Sequence, residues 1–271
     1  FVCPVTIAKA ELWKVGQLKP GDSIRFTPVA FAEALALEQA QDAAVETLTP
    51  VPVIALSVHN TSDASFTSAT MVAELDADGH VPRITYRQAG DKYILIEYGD
   101  NVLDLALRLR VHALMENLKD QPVPGILELS PGVRSLQVHY DSRLLDQAGL
   151  VKALLEREKA IGSVDDMEVR SRVLHLPLAF EDSATLDAVQ RYQETIRSDA
   201  PWLPNNVEFI RRINGLDSTE QVKDIVFKAS YMVLGLGDVY LGAPCAVPVD
   251  PRHRLMTSKY NPARTYTAEG T

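Results

Sequence analysis

Asp238 lies in the run Gly235-Leu-Gly-Asp-Val-Tyr-Leu-Gly-Ala-Pro244, where Gly235 and Gly237 let the backbone bend to present a carboxylate. The Tyr240 phenol, two residues on, is placed to hold it. An ionised carboxylate only accepts hydrogen bonds, so it suits the N–H groups of a small amide or amidine. The same residue types also serve an Asx turn capping its own backbone, and both readings stay open. Downstream, Lys259-Tyr-Asn-Pro-Ala-Arg264 gathers Lys259, Tyr260, Asn261 and Arg264, which together would hold a carboxylated species or equally form a solvated loop with one salt bridge. His253 stands between Arg252 and Arg254. Two flanking cations disfavour protonation of the ring and would leave a neutral imidazole for acid–base work. Glycine, proline and convergent polar groups so close together are the composition of a binding loop.

Other polar groups read as structural. Arg211 and Arg212 share a helical stretch with Glu208, a spacing for local charge pairing. Arg134 sits at the turn Ser130-Pro-Gly-Val-Arg-Ser135, and His112 falls at the core rim of a helix. Cys245 has no adjacent base and is assigned no nucleophilic role. No Gly-x-x-x-x-Gly-Lys-Ser/Thr loop and no Gly-x-Gly-x-x-Gly fingerprint is present, so the segment has no standard nucleotide cradle.

A net charge of -9 with pI near 5.2 argues against nucleic acid, whose binding needs a basic face. Over 271 residues, 46% hydrophobic and 23% charged composition is that of a globular protein, with neither disorder nor a membrane class indicated. Two cysteines and six scattered histidines give no zinc spacing and no disulfide framework, which fits a reducing cytosol. The chain opens on Phe1 with β-like residues and closes on the polar Thr265–Thr271, so it is expected to be an internal piece of a longer protein.

The elements that would position the loop indicate an α+β fold. Residues 5–28 alternate apolar and polar around Lys19-Pro-Gly-Asp22, which predicts a β-hairpin. A helix follows over 30–48, with Phe31, Leu35, Leu37, Ala40 and Val45 as its apolar positions, then a polar linker and domain boundary over Thr49–Arg83. Next come a strand at Tyr93–Tyr98, a helix over 101–118, strands at Ile126–Leu129 and Leu136–Tyr140, a helix over 147–160 and a strand over 170–178. The first helix would bury Val102, Leu105, Ala106, Leu109 and Ala113; the second, Leu150, Val151, Leu154 and Leu155. That β-α-β-β-α-β order is the ferredoxin-like arrangement. Helices are expected from Thr185, capped by Asp182 or Ser183, from Val207, and from Ser218, where Ser218-Thr-Glu-Gln221 reads as a capping box; a strand at Tyr231–Gly235 then enters the glycine loop. The divisions are therefore 1–29, 30–82, 83–180 and 181–271.

Pro124–Asp141, Trp202–Asp217 and the Gly235 loop resemble the carboxyltransferase region of biotin-dependent urea carboxylases, in the part related to allophanate hydrolase subunit 1 and the Kip-type proteins. Residues 1–29 are similar to the closing strands of the preceding subunit 2 type domain. The resemblance implies a ferredoxin-like part joined to a truncated cyclophilin-like barrel. Its implied activity is transfer of CO2 from carboxybiotin to urea, giving allophanate. Asp238 and Tyr240 would be catalytic, and Asp238, Lys259, Asn261, Arg264 and His253 would bind substrate, with no metal. Biotin and ATP are the implied cofactors. No Met-Lys-Met biotin attachment sequence is present, so both belong to biotinyl and biotin carboxylase domains elsewhere in the same cytoplasmic protein. Guanidine carboxylases are similar in sequence. A Kip-like inhibitor of a sensor kinase, or a 5-oxoprolinase subunit, is the corresponding binding-module reading.

Overall fold

The computed structural model describes residues 5–56, 70–236 and 244–257. Two compact units divide it, residues 1–168 and 169–271.

The first unit holds five antiparallel strands, β1 (Met71–Leu75), β2 (Ile84–Gln88), β3 (Tyr93–Tyr98), β4 (Ile126–Pro131) and β5 (Ser135–Tyr140), in the order β1-β2-β3-β5-β4. Alternate residues of β3 and β5 (Ile94, Ile96, Tyr98; Leu136, Val138, Tyr140) are fully buried. Against them pack α3 (Leu105–Asp120) and α4 (Gln147–Ile161), which contribute Leu107, Val111, Leu114, Leu118, Leu150 and Leu154 to one core. Helices segregated to one face of an antiparallel sheet make this α+β.

Several expectations are corrected here. The buried stripe of α3 is Leu107, Val111, Leu114 and Leu118, while Ala106 and Val102 are exposed. Leucine at every second position offers two competing faces, and the one carrying Arg110 turns inward because Arg110 meets a buried acid. Its Nε donates to Glu158 Oε1 at 2.7 Å and its Nη1 to the Gly162 carbonyl at 2.8 Å, and Tyr98 donates to Glu158 Oε2 at 2.8 Å. Burial pushes the Tyr98 phenol well above its ordinary range, so it remains a donor.

The strand expected over 170–178 is not formed. That stretch is exposed and carries no sheet pairing, with Val173, Leu174 and Leu176 between 68% and 81% accessible. The place beside β3 that such a strand would fill is taken by β2, paired antiparallel from Ile84↔Tyr98 to Gln88↔Ile94. Within the expected linker, Met71–Leu75 joins the sheet as β1, pairing with β2 across a bulge. Five residues flanked by Ser, Thr and Asp runs are too short a pattern to stand out from a linker.

The N-terminal β-hairpin is also not observed. Lys9–Glu11 form a 3-10 turn leading into a single helical turn, α1 (Leu12–Val15), and no strand occurs among residues 5–28. Ala8-Lys-Ala-Glu-Leu-Trp-Lys14 is a run rich in helix formers, and no neighbouring strand is available among the described residues to reward an extended form. The next helix, α2 (Phe31–Thr47), matches its expected bounds, but it buries Ala34, Glu38 and Ala44 while Val45 is exposed.

Gly125 shows how tightly the β4 entrance is built. It has φ +97°, and a Cβ there would meet Leu145 Cβ at 2.6 Å. Gly125→Ala is expected to cost about 1–3 kcal/mol, from backbone strain and the clash together. A lower denaturant midpoint at unchanged slope would register it.

In the second unit three helices precede a two-stranded ribbon: α5 (Ser183–Thr195), α6 (Asn206–Ile213) and α7 (Thr219–Lys228), then β6 (Tyr231–Leu236) and β7 (Pro244–Pro248). Each helix starts at a side-chain cap. Asp182, Asn205 and Ser218 accept from the amides of Thr185, Glu208 and Gln221. The cap before α5 is thus Asp182, and the capping box expected at Ser218 forms at its Ser218 end only, since the Gln221 side chain accepts from the Asp217 amide instead of that of Ser218. Among the described residues of this unit the buried apolar side chains are Ala200, Phe209, Val222, Leu234 and Val247. No helix of the described residues is long and apolar enough to cross a membrane.

Candidate functional site

The β6–β7 ribbon fixes the glycine loop at both ends. Pairing runs from Tyr231↔Pro248 to Leu236↔Pro244, with a bulge between Val233 and Gly235, so the chain leaves and re-enters the ribbon at adjacent positions. Prolines stand at both ends of β7 and donate no ladder hydrogen bond there. The base is tied down by Tyr231, whose hydroxyl donates to the Val226 carbonyl of α7 at 2.9 Å, and by Val249, whose amide donates to the Ser230 carbonyl at 2.9 Å.

After β7 the chain turns through Asp250 and a 3-10 turn at Pro251–His253. Asp250 Oδ1 accepts from the Arg252 amide at 2.9 Å, and its carboxylate also holds the Arg252 guanidinium. The Arg252 side chain first, and its amide second, hold the Asp250 carboxyl far below the ordinary carboxylate range. Arg254 turns the other way and donates to the Pro248 carbonyl at 3.0 Å. Half-buried His253 therefore sits between two guanidiniums that already have partners, one of them neutralised by a carboxylate.

Asn214, at the end of α6, grips the next stretch from both sides. Its Nδ2 donates to the Met256 carbonyl at 2.9 Å, and its Oδ1 accepts from the Met256 amide at 2.7 Å. The same Nδ2 closes α6 by donating to Ile210. The backbone entering residues 258–271 is thus anchored to α6.

Of the sequence-derived site residues, His253 is placed as above. Asp238, Tyr240, Lys259, Asn261 and Arg264 lie outside the described residues. Arg211 forms the local pair expected of it, a two-pronged contact with Glu208 at 2.8 and 2.9 Å, and also donates to the Leu216 carbonyl. Arg134 braces its turn through Glu97 at 3.0 Å. Asp250 and Asn214 were missed. The signal for Asp250 is an acid before Pro-Arg, the pattern of a capped turn; Asn214 before Gly215 signals only the end of a helix. An open hollow of about 710 Å³ between α5 and Pro204, lined by Leu186, Val189, Gln190, Gln193 and Glu194, offers amides, apolar surface and a single carboxylate.

The model of the carboxyltransferase domain family, subdomain C and D, matches residues 84–271. The chain is 47% identical over 273 residues to the urea amidolyase of Lachancea kluyveri, all of this chain aligning with 15% of that protein. It superposes on the crystal structure of the K. lactis urea amidolyase with TM-score 0.80 and 45% identity, covering 99% of this chain and 16% of that one. On the Kluyveromyces lactis urea carboxylase the TM-score is 0.79 at 45% identity, covering 99% of this chain and 24% of that one.

Proposed function

The chain belongs to the carboxyltransferase domain family, subdomain C and D, and from that premise we propose that it builds part of the site where a biotin-dependent urea carboxylase moves CO2 from carboxybiotin to a urea nitrogen, forming allophanate. The observation that carries the reading is that nearly the whole chain superposes at 45% identity on solved structures named urea amidolyase and urea carboxylase alike.

Urea is planar, with four N–H donors and one carbonyl acceptor. A site for it needs an anionic acceptor near the nitrogens and donors near the oxygen. Asp238, on the loop closed by β6 and β7, is the acceptor, and Tyr240 orients it. Lys259, Asn261 and Arg264, in the stretch that follows the Met256 anchor, hold the carboxylated product with His253 at their edge. Biotin supplies CO2 in activated, transferable form. This sequence holds neither a biotin attachment sequence nor a standard nucleotide cradle, so loading with ATP belongs to other parts of the longer cytosolic protein.

We read the finer fold in the same way. Strands β3, β4 and β5 with α3 and α4 form a ferredoxin-like set whose fourth strand position is occupied by β2. The second unit is part of a cyclophilin-like barrel. A lone two-stranded ribbon is marginal in water, and exposed Val173, Leu174, Leu176 and Val233 are the surface that further strands would cover.

The chain spans 15% of the length of its L. kluyveri relative, and on this reading much of the pocket wall is supplied by the remainder. Supplied with a carboxylated biotinyl domain and urea, the chain alone is expected to form no allophanate above background, whereas the longer protein does. A rate from the chain alone near that of the longer protein would overturn the reading, and product formed by the longer protein from guanidine but not from urea would replace urea as the substrate.

A further inference from the structure

Helix α2 precedes the segment matched by the family model, yet it is seated on the sheet of the first unit by a buried polar contact. Glu38, 3% exposed at the centre of the α2 stripe, pairs with the ammonium of Lys92, which is 6% exposed. Ser142 completes the contact: Lys92 donates to its Oγ at 2.7 Å, and Ser142 in turn donates to Glu38 Oε2 at 3.0 Å. The other carboxylate oxygen of Glu38 faces Arg143 Nη2 at 3.3 Å, and Arg143 grips Asp42, one turn further along α2, at 2.6 and 2.8 Å.

The same β2–β3 turn receives the stretch ahead of α2. Gly90, at φ +80°, lies so close to Thr6 that a Cβ would come within 2.4 Å of its Oγ1. The Lys9 amide donates to Asp91 Oδ2 at 2.9 Å. Three consecutive residues, Gly90-Asp91-Lys92, therefore meet Thr6, Lys9 and Glu38 in turn. None of the α2 residues belongs to the core beneath the sheet, so the sheet has its own core and the helix is an addition to it. Ala34 and Ala44 are buried on either side of Glu38 along the helix.

We infer that the Gly90–Lys92 turn and the Ser142–Arg143 corner form a docking socket for an acidic, alanine-flanked helix arriving from the preceding part of the polypeptide. This socket holds that part to the carboxyltransferase segment without help from the connecting chain. Removing Lys92 leaves buried Glu38 only the half-exposed Arg143, at 3.3 Å, as a neighbouring cation, which is costly to a buried pair. A lysine in place of Glu38 would set a second ammonium against that of Lys92.

The test uses the full chain with a protease recognition sequence placed within residues 57–69. After cutting, the two pieces of the otherwise unchanged protein are expected to elute together at the position of the uncut chain. Lys92→Met should raise the dissociation constant of the cut pair at least about a hundredfold. Glu38→Lys, which alters the helix alone, should separate the pieces as well and keeps the test decisive if Lys92→Met fails to fold before cutting. Separation of the unaltered pieces, or retention of the cut Glu38→Lys pair at unaltered affinity, would overturn the inference.

Discussion

Arg110→Met is expected to lower folding stability by about 3–5 kcal/mol, because it leaves Glu158 buried without its cation. Both residues are 2% exposed, and Arg110 reaches Glu158 through Nε and Nη2 at 2.7 and 2.6 Å. The exposed Arg143–Asp42 contact is a useful contrast, since pairs of that kind contribute about 0–1 kcal/mol. Replacing both members, Arg110→Met with Glu158→Leu, should recover much of the loss, as apolar substitutes for a buried pair often do. The cost also depends on pH. Burial pushes the Glu158 carboxyl above its ordinary value, against the pull of Arg110 and the hydrogen bond from Tyr98. Removing the guanidinium raises it further. A carboxyl with a folded pKa above its unfolded one is neutral in both states at low pH, so the missing cation costs least there. The deficit relative to the unaltered protein grows as pH rises through the already raised folded value of Glu158 towards the still higher one of the variant. Denaturant titrations at about pH 4 and about pH 7 should show the larger deficit at the higher pH; an equal deficit at both would contradict the assignment.

In the longer protein, Asp238→Asn is expected to reduce kcat/KM for urea at least tenfold, or roughly 1.4 kcal/mol of transition-state stabilisation, with biotin loading unchanged. Asparagine keeps the size of the side chain but replaces half of the anionic acceptor with a donor, which confronts the N–H groups of urea with an N–H of its own. The pairing of Leu236 with Pro244 holds the two ends of the loop, so a change of charge at position 238 need not unfasten the ribbon. If Asp238 instead capped its own turn, thermal stability would fall in step with activity. A variant with unchanged stability and unchanged kcat/KM would remove Asp238 from the site.

The central sheet was legible wherever a period of two or a periodic helix sat between clear turn signals. Strand β3 appeared with its own bounds, β4, β5 and α4 within a few residues, and the apolar positions of α4 face the core as expected. The errors have a common cause, since alternation or periodicity shows which residues are able to turn inward but not what they will meet. Leu105, Leu107 and Leu109 supplied two faces of α3, and Glu158, nearly fifty residues away, selected one. Val173–Leu178 has the residue types of a strand, but β2 holds the neighbouring position in the sheet. Glu38 in an alanine-rich helix gave no sign that it would be buried, because its partner Lys92 is read from a different element. At the candidate site the glycine-rich run between β6 and β7 stands out by its composition. The supports beneath it, Asn214 on Met256 and Tyr231 on Val226, depend on folding geometry and were not visible.

The most direct test of the account is a single turnover of the longer protein with labelled carboxybiotin already formed, chased with unlabelled urea. The account predicts that the label passes to allophanate in the unaltered protein and stays on biotin in Asp238→Asn. Transfer to urea at equal rates in the two proteins would contradict it.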